Sequence, residues 1–331
     1  MSEILDRAMF GLFSTHALHL ADRHGVFTYL IDEGPASPAR IARARGIAPE
    51  TLERLLLLLA SVSVVERDRD GTYRLAPELA PSFDTASPRY IGGFVSHMVT
   101  NTTTQLRKLD DYLAKGKEAV DAAGPSPFET IYRDEESTRD FLEAMWQLSF
   151  HPSQELTRLA ELSDVGHLVD VGGASGAFAV AALARYPELK ATVFDLPQVG
   201  PHLERTGREY ALGDRLAFAP GDFFEDSLPL ADCFAFGYIL SDWQDETCVE
   251  LLRKAHAACG DGGRVLIMER LFDDAGGPLP TAAQNLAMHV EVQGRHRTAA
   301  EYTALLREAG FYDCVVRRST WDKHLVMGRK A

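Results

Sequence analysis

From about residue 163 onward, short apolar runs alternate with helical stretches, and that rhythm confines the second half of the chain to one class of architecture. The runs are His167–Val171, Lys190–Asp195, Leu216–Ala219, Asp232–Tyr238, Gly263–Glu269, Asp313–Arg318 and His324–Gly328. Strands separated by helices cannot pair as hairpins, so the pattern predicts an α/β fold, a mostly parallel sheet with helices on both faces. A short polar link joins the last two runs, which predicts an antiparallel hairpin closing one sheet edge.

The first 160 residues obey a different grammar, nearly all helical with one hairpin. Ser37 is placed to cap a helix running through Arg45, and Pro49 suits the first turn of the next. That next helix, ETLERLLLLLAS, is followed by two short β-prone runs around Asp70-Gly71, a hairpin turn pair. Helix, helix, hairpin is the winged-helix order, but DNA binding needs donors on the second helix, which offers Glu50 and Glu53 against Arg54. A net charge of −14 likewise opposes a nucleic-acid partner and an anionic membrane surface. The apolar run Leu55–Ala60 is too short to span a bilayer, and the MSEILDRAMFGLF start lacks the basic end and cleavage site of a secretory signal. The four cysteines form no CxxC pair and read as reduced thiols of a cytoplasmic protein. Met9, Phe10, Phe13, Leu18 and Leu20 place more apolar surface on the first segment than one face hides, which predicts a homodimer whose helices help wall the partner's site. The boundary is expected near His151–Ser163, dividing the chain into a helical cover and dimerisation domain, 1–155, and a catalytic domain, 156–331.

Leu168-Val169-Asp170-Val171-Gly172-Gly173-Ala174-Ser175-Gly176 is a strand entering a glycine turn and then a helix. Gly172, Gly173 and Gly176 let backbone approach a ligand closely, although Ala174 breaks the GxGxxG spacing of a dinucleotide site. Asp195 ends the second strand, where a carboxylate accepts bonds from both hydroxyls of a ribose. Gly221-Asp222-Phe223 follows the third, offering an acid and an aromatic edge to an adenine, and Asp170 can meet an ammonium group. The three turns together suit a nucleoside carrying something other than a pyrophosphate, which disfavours a dinucleotide oxidoreductase.

The stretches VDVGGASG, TVFDLPQV, APGDFFED, YILSDWQDE, GGRVLIMER, GRHRTAAEY and LLREAGF resemble, in order and spacing, the plant-type (caffeate/acetylserotonin-like) small-molecule O-methyltransferase family and its bacterial natural-product branch. The resemblance implies a class I methyltransferase domain, Rossmann-like, preceded by a winged-helix-type dimerisation domain, with S-adenosylmethionine as donor. It places Leu196 and Tyr238 beside the donor together with the residues above. Gly237 stands where plant members often have a donor-contacting lysine.

It also exposes a departure. The family's His-Asp-Trp motif, whose histidine takes the acceptor's proton, is Ser241-Asp242-Trp243 here, and a serine hydroxyl is not basic near neutral pH. Glu269 retains one of two flanking glutamate positions, and His296 replaces the other. The expected catalytic set is therefore His296, Glu269 and Asp242, with His296 as relocated base and its pKa raised by a neighbouring carboxylate. The alternative is a plain loop histidine between Arg295 and Arg297. Phe141, Met145 and Ser149 share one helical face with Trp146 alongside, and the resemblance sets this helix over the acceptor pocket with Ser241, Trp243, Met288, His289 and Glu291; plain core packing is the alternative. His289, Glu291 and Gln293, with Asp242 and His296, are also an arrangement in which a metal would find ligands, but hydrogen bonding to a polar substrate is the preferred reading and no metal is assigned. The acceptor is expected to be a small phenol- or indole-like precursor methylated on oxygen or carbon, with nitrogen, an α-keto acid carbon or a non-methylating reaction as alternatives.

Overall fold

The computed structural model describes residues 2–122 and 131–331, which form two units, one ending at Thr104 and one beginning at Gln105. In the first unit, α1 (Glu3–Arg23) is capped by Ser2, with Glu3 and Asp6 in its first turn and Arg23 in its last, matching the helix dipole. α2 (Val26–Glu33) and α3 (Pro38–Arg45) follow, and the Ser37 hydroxyl caps α3 by accepting the Arg40 N–H at 3.4 Å, as expected. α4 (Pro49–Ser61) starts on proline and buries Leu52, Leu56 and Leu59. The hairpin β1 (Val65–Arg67) and β2 (Tyr73–Leu75) turns at Asp70-Gly71, whose glycine has φ +82°. Phe27, Ile41, Leu56 and Tyr73 share the core that these elements enclose. The near half of α1 takes no part in it: Ile4, Met9, Phe10, Leu12 and Phe13 are exposed.

The second unit is built on seven strands, in the order β10-β11-β7-β6-β3-β4-β5. These are β3 (His167–Val171), β4 (Lys190–Asp195), β5 (Leu216–Pro220), β6 (Ala231–Gly237), β7 (Cys259–Glu269), β10 (Tyr312–Arg317) and β11 (His324–Arg329). β3 through β7 pair in parallel, and β11 runs antiparallel to both β7 and β10, so the expected hairpin closes the edge. A small parallel pair, β8 (Leu271–Phe272) with β9 (Arg297–Thr298), lies outside the sheet.

The division of the chain differs from the expected break at 155/156. Helix α5 (Glu135–Ala160) belongs to the second unit, because its Phe150, Leu156 and Ala160 enter the core of Leu168, Val193 and α6 (Ala177–Arg185). The helical composition of 105–160 carried no sign of this, since an amphipathic face does not name its partner. Among the described residues no helix is long and apolar enough to cross a membrane.

Candidate active site

In an open parallel sheet, ligands bind beyond the carboxyl ends of the strands, beside the point where strand order reverses. Here that point lies at β3, flanked by β4 and β6. β3 ends on Asp170 and Val171, and the chain turns through Gly172 and Gly176, which have φ +64° and φ +83°. The left-handed region is cheap only for glycine. A side chain on Gly172 would also collide with Ile239, and a Cβ on Gly173 would lie 2.7 Å from the Asp170 carboxyl carbon.

The turn is tied to the next strand. Asp195, at the end of β4, accepts the Ala174 N–H at 2.8 Å on one oxygen and the Leu196 N–H at 2.7 Å on the other. A carboxylate has about four acceptor positions, so room for two hydroxyl donors remains. Burial raises the Asp195 carboxyl to about 6 and Asp170 to about 7. The Gly221 N–H donates to the Asp195 carbonyl at 2.9 Å and brings the third turn alongside. There the Phe223 ring stands edge-on to Phe224 and Trp243, and Asp222 accepts the Phe224 N–H at 2.8 Å. Three strand ends thus assemble a glycine cradle, two buried acids and an aromatic edge, which fits a cationic nucleoside-bearing donor.

The wall expected to meet the acceptor rises from β6, β7 and the segment before β9. Ser241 is fully buried, and its N–H donates to Glu269 Oε1 at 3.2 Å. Glu269 is fully buried as well, and its Oε2 has no hydrogen-bond partner among the described residues. Burial pushes the Glu269 carboxyl above the usual carboxylate range, and the Lys323 ammonium opposes that. Asp242 is held well above its ordinary range by burial, with Glu269 and Glu291 adding repulsion. His296 is 1% exposed, and neither ring nitrogen has a partner among the described residues.

One expectation for His296 fails. Its pKa is lowered to about 4, by burial first and then by the Arg270 and Arg297 charges. The motif returned a histidine to this wall, but the charges nearest it are guanidinium groups rather than a carboxylate. The imidazole is therefore neutral over the physiological range.

The candidate substrate residues separate. Ser149 Oγ lies 3.5 Å from Lys323 Nζ, while Phe141 and Met145 are half-buried on α5. Trp146 instead stacks on Phe150 at 4.5 Å and meets Tyr210, so its ring is engaged in packing. Trp243 closes against Phe224. Met288 is buried, and Glu291 acts on Asp242. His289 is exposed and stands edge-on to Tyr112 at 5.5 Å. His289 and Glu291 lie on helix α9 (Leu279–Glu291), which follows α7 (Gly200–Glu209) and α8 (Asp245–Ala258). Two residues apart on a helix point away from each other. Among the described residues no group of three or more metal-binding side chains is present.

The family models for an O-methyltransferase domain and an O-methyltransferase dimerisation domain match residues 106–312 and 7–78. The chain belongs to the O-methyltransferase family. Acetylserotonin O-methyltransferase of Bos taurus is 33% identical over 331 residues, 97% of this chain and 95% of its own length. The tetracenomycin polyketide synthesis 8-O-methyl transferase TcmO of Streptomyces glaucescens is 30% identical, covering 99% and 96%. The structure of human N-acetylserotonin methyltransferase in complex with SAM has a TM-score of 0.90 at 28% identity, covering 99% of this chain and 97% of that one. This methyltransferase uses S-adenosylmethionine.

Three of its residues near the site escaped the sequence reading. The Arg297 side chain, fully buried, donates to the carbonyls of Leu240 and Trp243 and to Asp245, so it braces the whole 240–245 turn. Burial first, and then the charges of Asp195 and Asp242, raise the Tyr132 hydroxyl, whose ring stands edge-on to Phe141 at 6.1 Å. Lys323 is 1% exposed and lies in no motif. A lysine in a polar link reads from sequence as solvated surface, and only folding buries it.

Proposed function

We propose that this methyltransferase methylates the hydroxyl oxygen of a small aromatic natural-product precursor, with Glu269 as proton acceptor. S-adenosylmethionine supplies an electrophilic methyl group when bound. Asp195 would hold its ribose hydroxyls, Asp222 and Phe223 its base, and Asp170 its ammonium end, with Gly172, Gly173 and Gly176 giving close backbone approach. The chain's remaining work is alignment and the removal of one proton.

The observation that carries the acceptor reading is the Glu269 carboxylate, fully buried, with one oxygen held by Ser241 N–H and the other unpartnered among the described residues. A buried acceptor atom without a partner is costly, so the wall is arranged for a ligand that donates to it. A carboxylate raised by burial is better matched to a phenolic proton than an ordinary one. The neutral His296 accepts a hydrogen bond from the acceptor and aims it. Methylation at an indole-like carbon is a second reading, supported by Ser241 in place of the usual histidine, because such a ring brings its own nucleophile once a base draws off an N–H proton. Incubation with deuterated donor and a panel of phenols, indoles and α-keto acids, followed by mass spectrometry and NMR of products, tests both. Deuteromethyl on oxygen supports the first, on ring carbon the second, and turnover of none of the panel overturns both.

The N-terminal unit is read as the seat of a homodimer, supported by its match to a dimerisation domain and by the exposed Ile4, Met9, Phe10, Leu12 and Phe13 of α1. A monomeric mass by light scattering at micromolar concentration, with full activity, would contradict it.

A further inference from the structure

Lys323 belongs to the polar link before β11, yet it is among the most deeply buried side chains of the molecule. Antiparallel pairing of β11 with β7 sets His324 opposite Glu269, so Lys323 arrives at the carboxyl ends of β6 and β7. Its ammonium lies 3.9 Å from the centre of the Tyr238 ring and 3.5 Å from Ser149 Oγ on α5. Gly237 ends β6 directly below: a Cβ there would stand 3.2 Å from Lys323 Nζ. An ammonium with one long hydrogen bond and an aromatic face has little to replace its lost hydration. What offsets the cost is charge. Asp170 at the end of β3 and Glu269 at the end of β7 both act on it favourably, as does its neighbour Asp322 more weakly, while Arg270 opposes. Lys323 in turn is the largest influence holding down the carboxyls of both Asp170 and Glu269.

We propose that Lys323 is a positioning residue of the methyl-transfer site, whose buried ammonium, set at the carboxyl ends of β6 and β7, is the shared counter-charge of the donor-side Asp170 and the acceptor-side Glu269, and whose Nζ crowds any side chain added at position 237. The inference rests on the proposed roles of Asp170 and Glu269. It gives the ends of β3 and β7 one shared counter-charge, supplied by the link that leads into β11 beside β7. Without it, burial of both acids, with the Asp195 charge adding to it at Asp170, drives protons onto them, and both a cationic donor and the acceptor's proton lose their partner.

Binding of S-adenosylhomocysteine and S-adenosylmethionine by titration calorimetry between pH 6 and 9 tests this, together with the pH profile of kcat/KM. The proteins are the unaltered chain, Lys323→Met, Lys323→Arg and the double variant Gly237→Lys/Lys323→Met. In Lys323→Met the pH below which donor affinity falls should move up by about one unit or more, and the acid limb of kcat/KM should move with it. At pH 7 donor affinity should be about tenfold lower and should recover at pH 9. Lys323→Arg keeps the charge and should keep both profiles, and the double variant should return them toward the original. Unchanged profiles in folded Lys323→Met overturn the proposal, as does a loss of the same size at every pH. If Lys323→Met does not fold, the double variant decides: folded with an unrestored profile, or unfolded as well, it refutes the exchange of the two positions. Asp195→Ala is measured alongside. If it too leaves donor binding unchanged, the reading of the donor site has failed; if it weakens binding while Lys323→Met moves no profile, the Lys323 inference alone has failed.

Discussion

The donor side and the acceptor side of the site share the same strand ends but treat their polar groups differently. On the donor side both oxygens of Asp195 are met by backbone N–H groups of neighbouring turns, and Asp222 is met by its own turn. On the acceptor side Glu269 Oε2 and both nitrogens of His296 are buried without partners among the described residues. The donor cradle is thus held in shape by the protein itself, through three turns of the main chain. The acceptor wall holds unspent hydrogen-bonding capacity inside a shell braced from behind by Arg297, which ties down Leu240, Trp243 and Asp245. A site for one invariant donor can be built from backbone; a site that must choose among acceptors needs side chains whose bonds are left for the ligand.

The sharpest test of that contrast is Glu269→Gln. It should reduce turnover by about 10²–10⁴-fold, the usual worth of a general base, and remove the acid limb of the pH–rate profile. Donor affinity by calorimetry should change little; an equal loss there would erase the distinction between the two sides. Next in size is Asp195→Ala. A charge-assisted bond is worth about 1.5–3 kcal/mol, so S-adenosylmethionine should bind roughly 10- to 100-fold more weakly while turnover at saturating donor is preserved. Unchanged donor affinity in the folded variant would remove the ribose role.

His296→Ala should cost less. A neutral hydrogen bond contributes about 0.5–1.5 kcal/mol, so kcat/KM for the acceptor should fall roughly 3- to 10-fold with the acid limb unmoved. A loss of several hundredfold together with a shifted limb would return the proton to the imidazole. Smallest is a pH effect on the donor side. Burial raises Asp195 to about 6 and Asp170 to about 7, above the ordinary carboxylate value. Both are then charged above that window and take protons as pH falls through it, so donor affinity should be level at high pH and decline below about 7, by about tenfold per unit at most for each acid. Affinity that stays level down to pH 5 would show that neither acid meets the donor.

The seven strands, their parallel arrangement and the closing hairpin were legible in the sequence, because alternation of apolar runs and helices admits few topologies. The glycine turn, Asp195 and the third turn were legible for a related reason: close approach and strand-end acids impose residue types at short spacings. The family's departure at Ser241 was visible too, since a motif shows what it lacks. The domain break was not, because the α5 face that joins the sheet's core looks like any amphipathic face until it meets Leu168 and Val193. Nor was the state of His296. Its identity lay in the GRHRT stretch, but its acidity depends on burial first and then on Arg270, which β8 and β9 bring together with it. Lys323 and Gly237 stand 86 positions apart, and their shared space exists only because β11 runs back against β7 beside β6. Local spacing specified the backbone of the proposed donor cradle; the charges that set acid and base arise from long-range burial and pairing, which the fold alone decides.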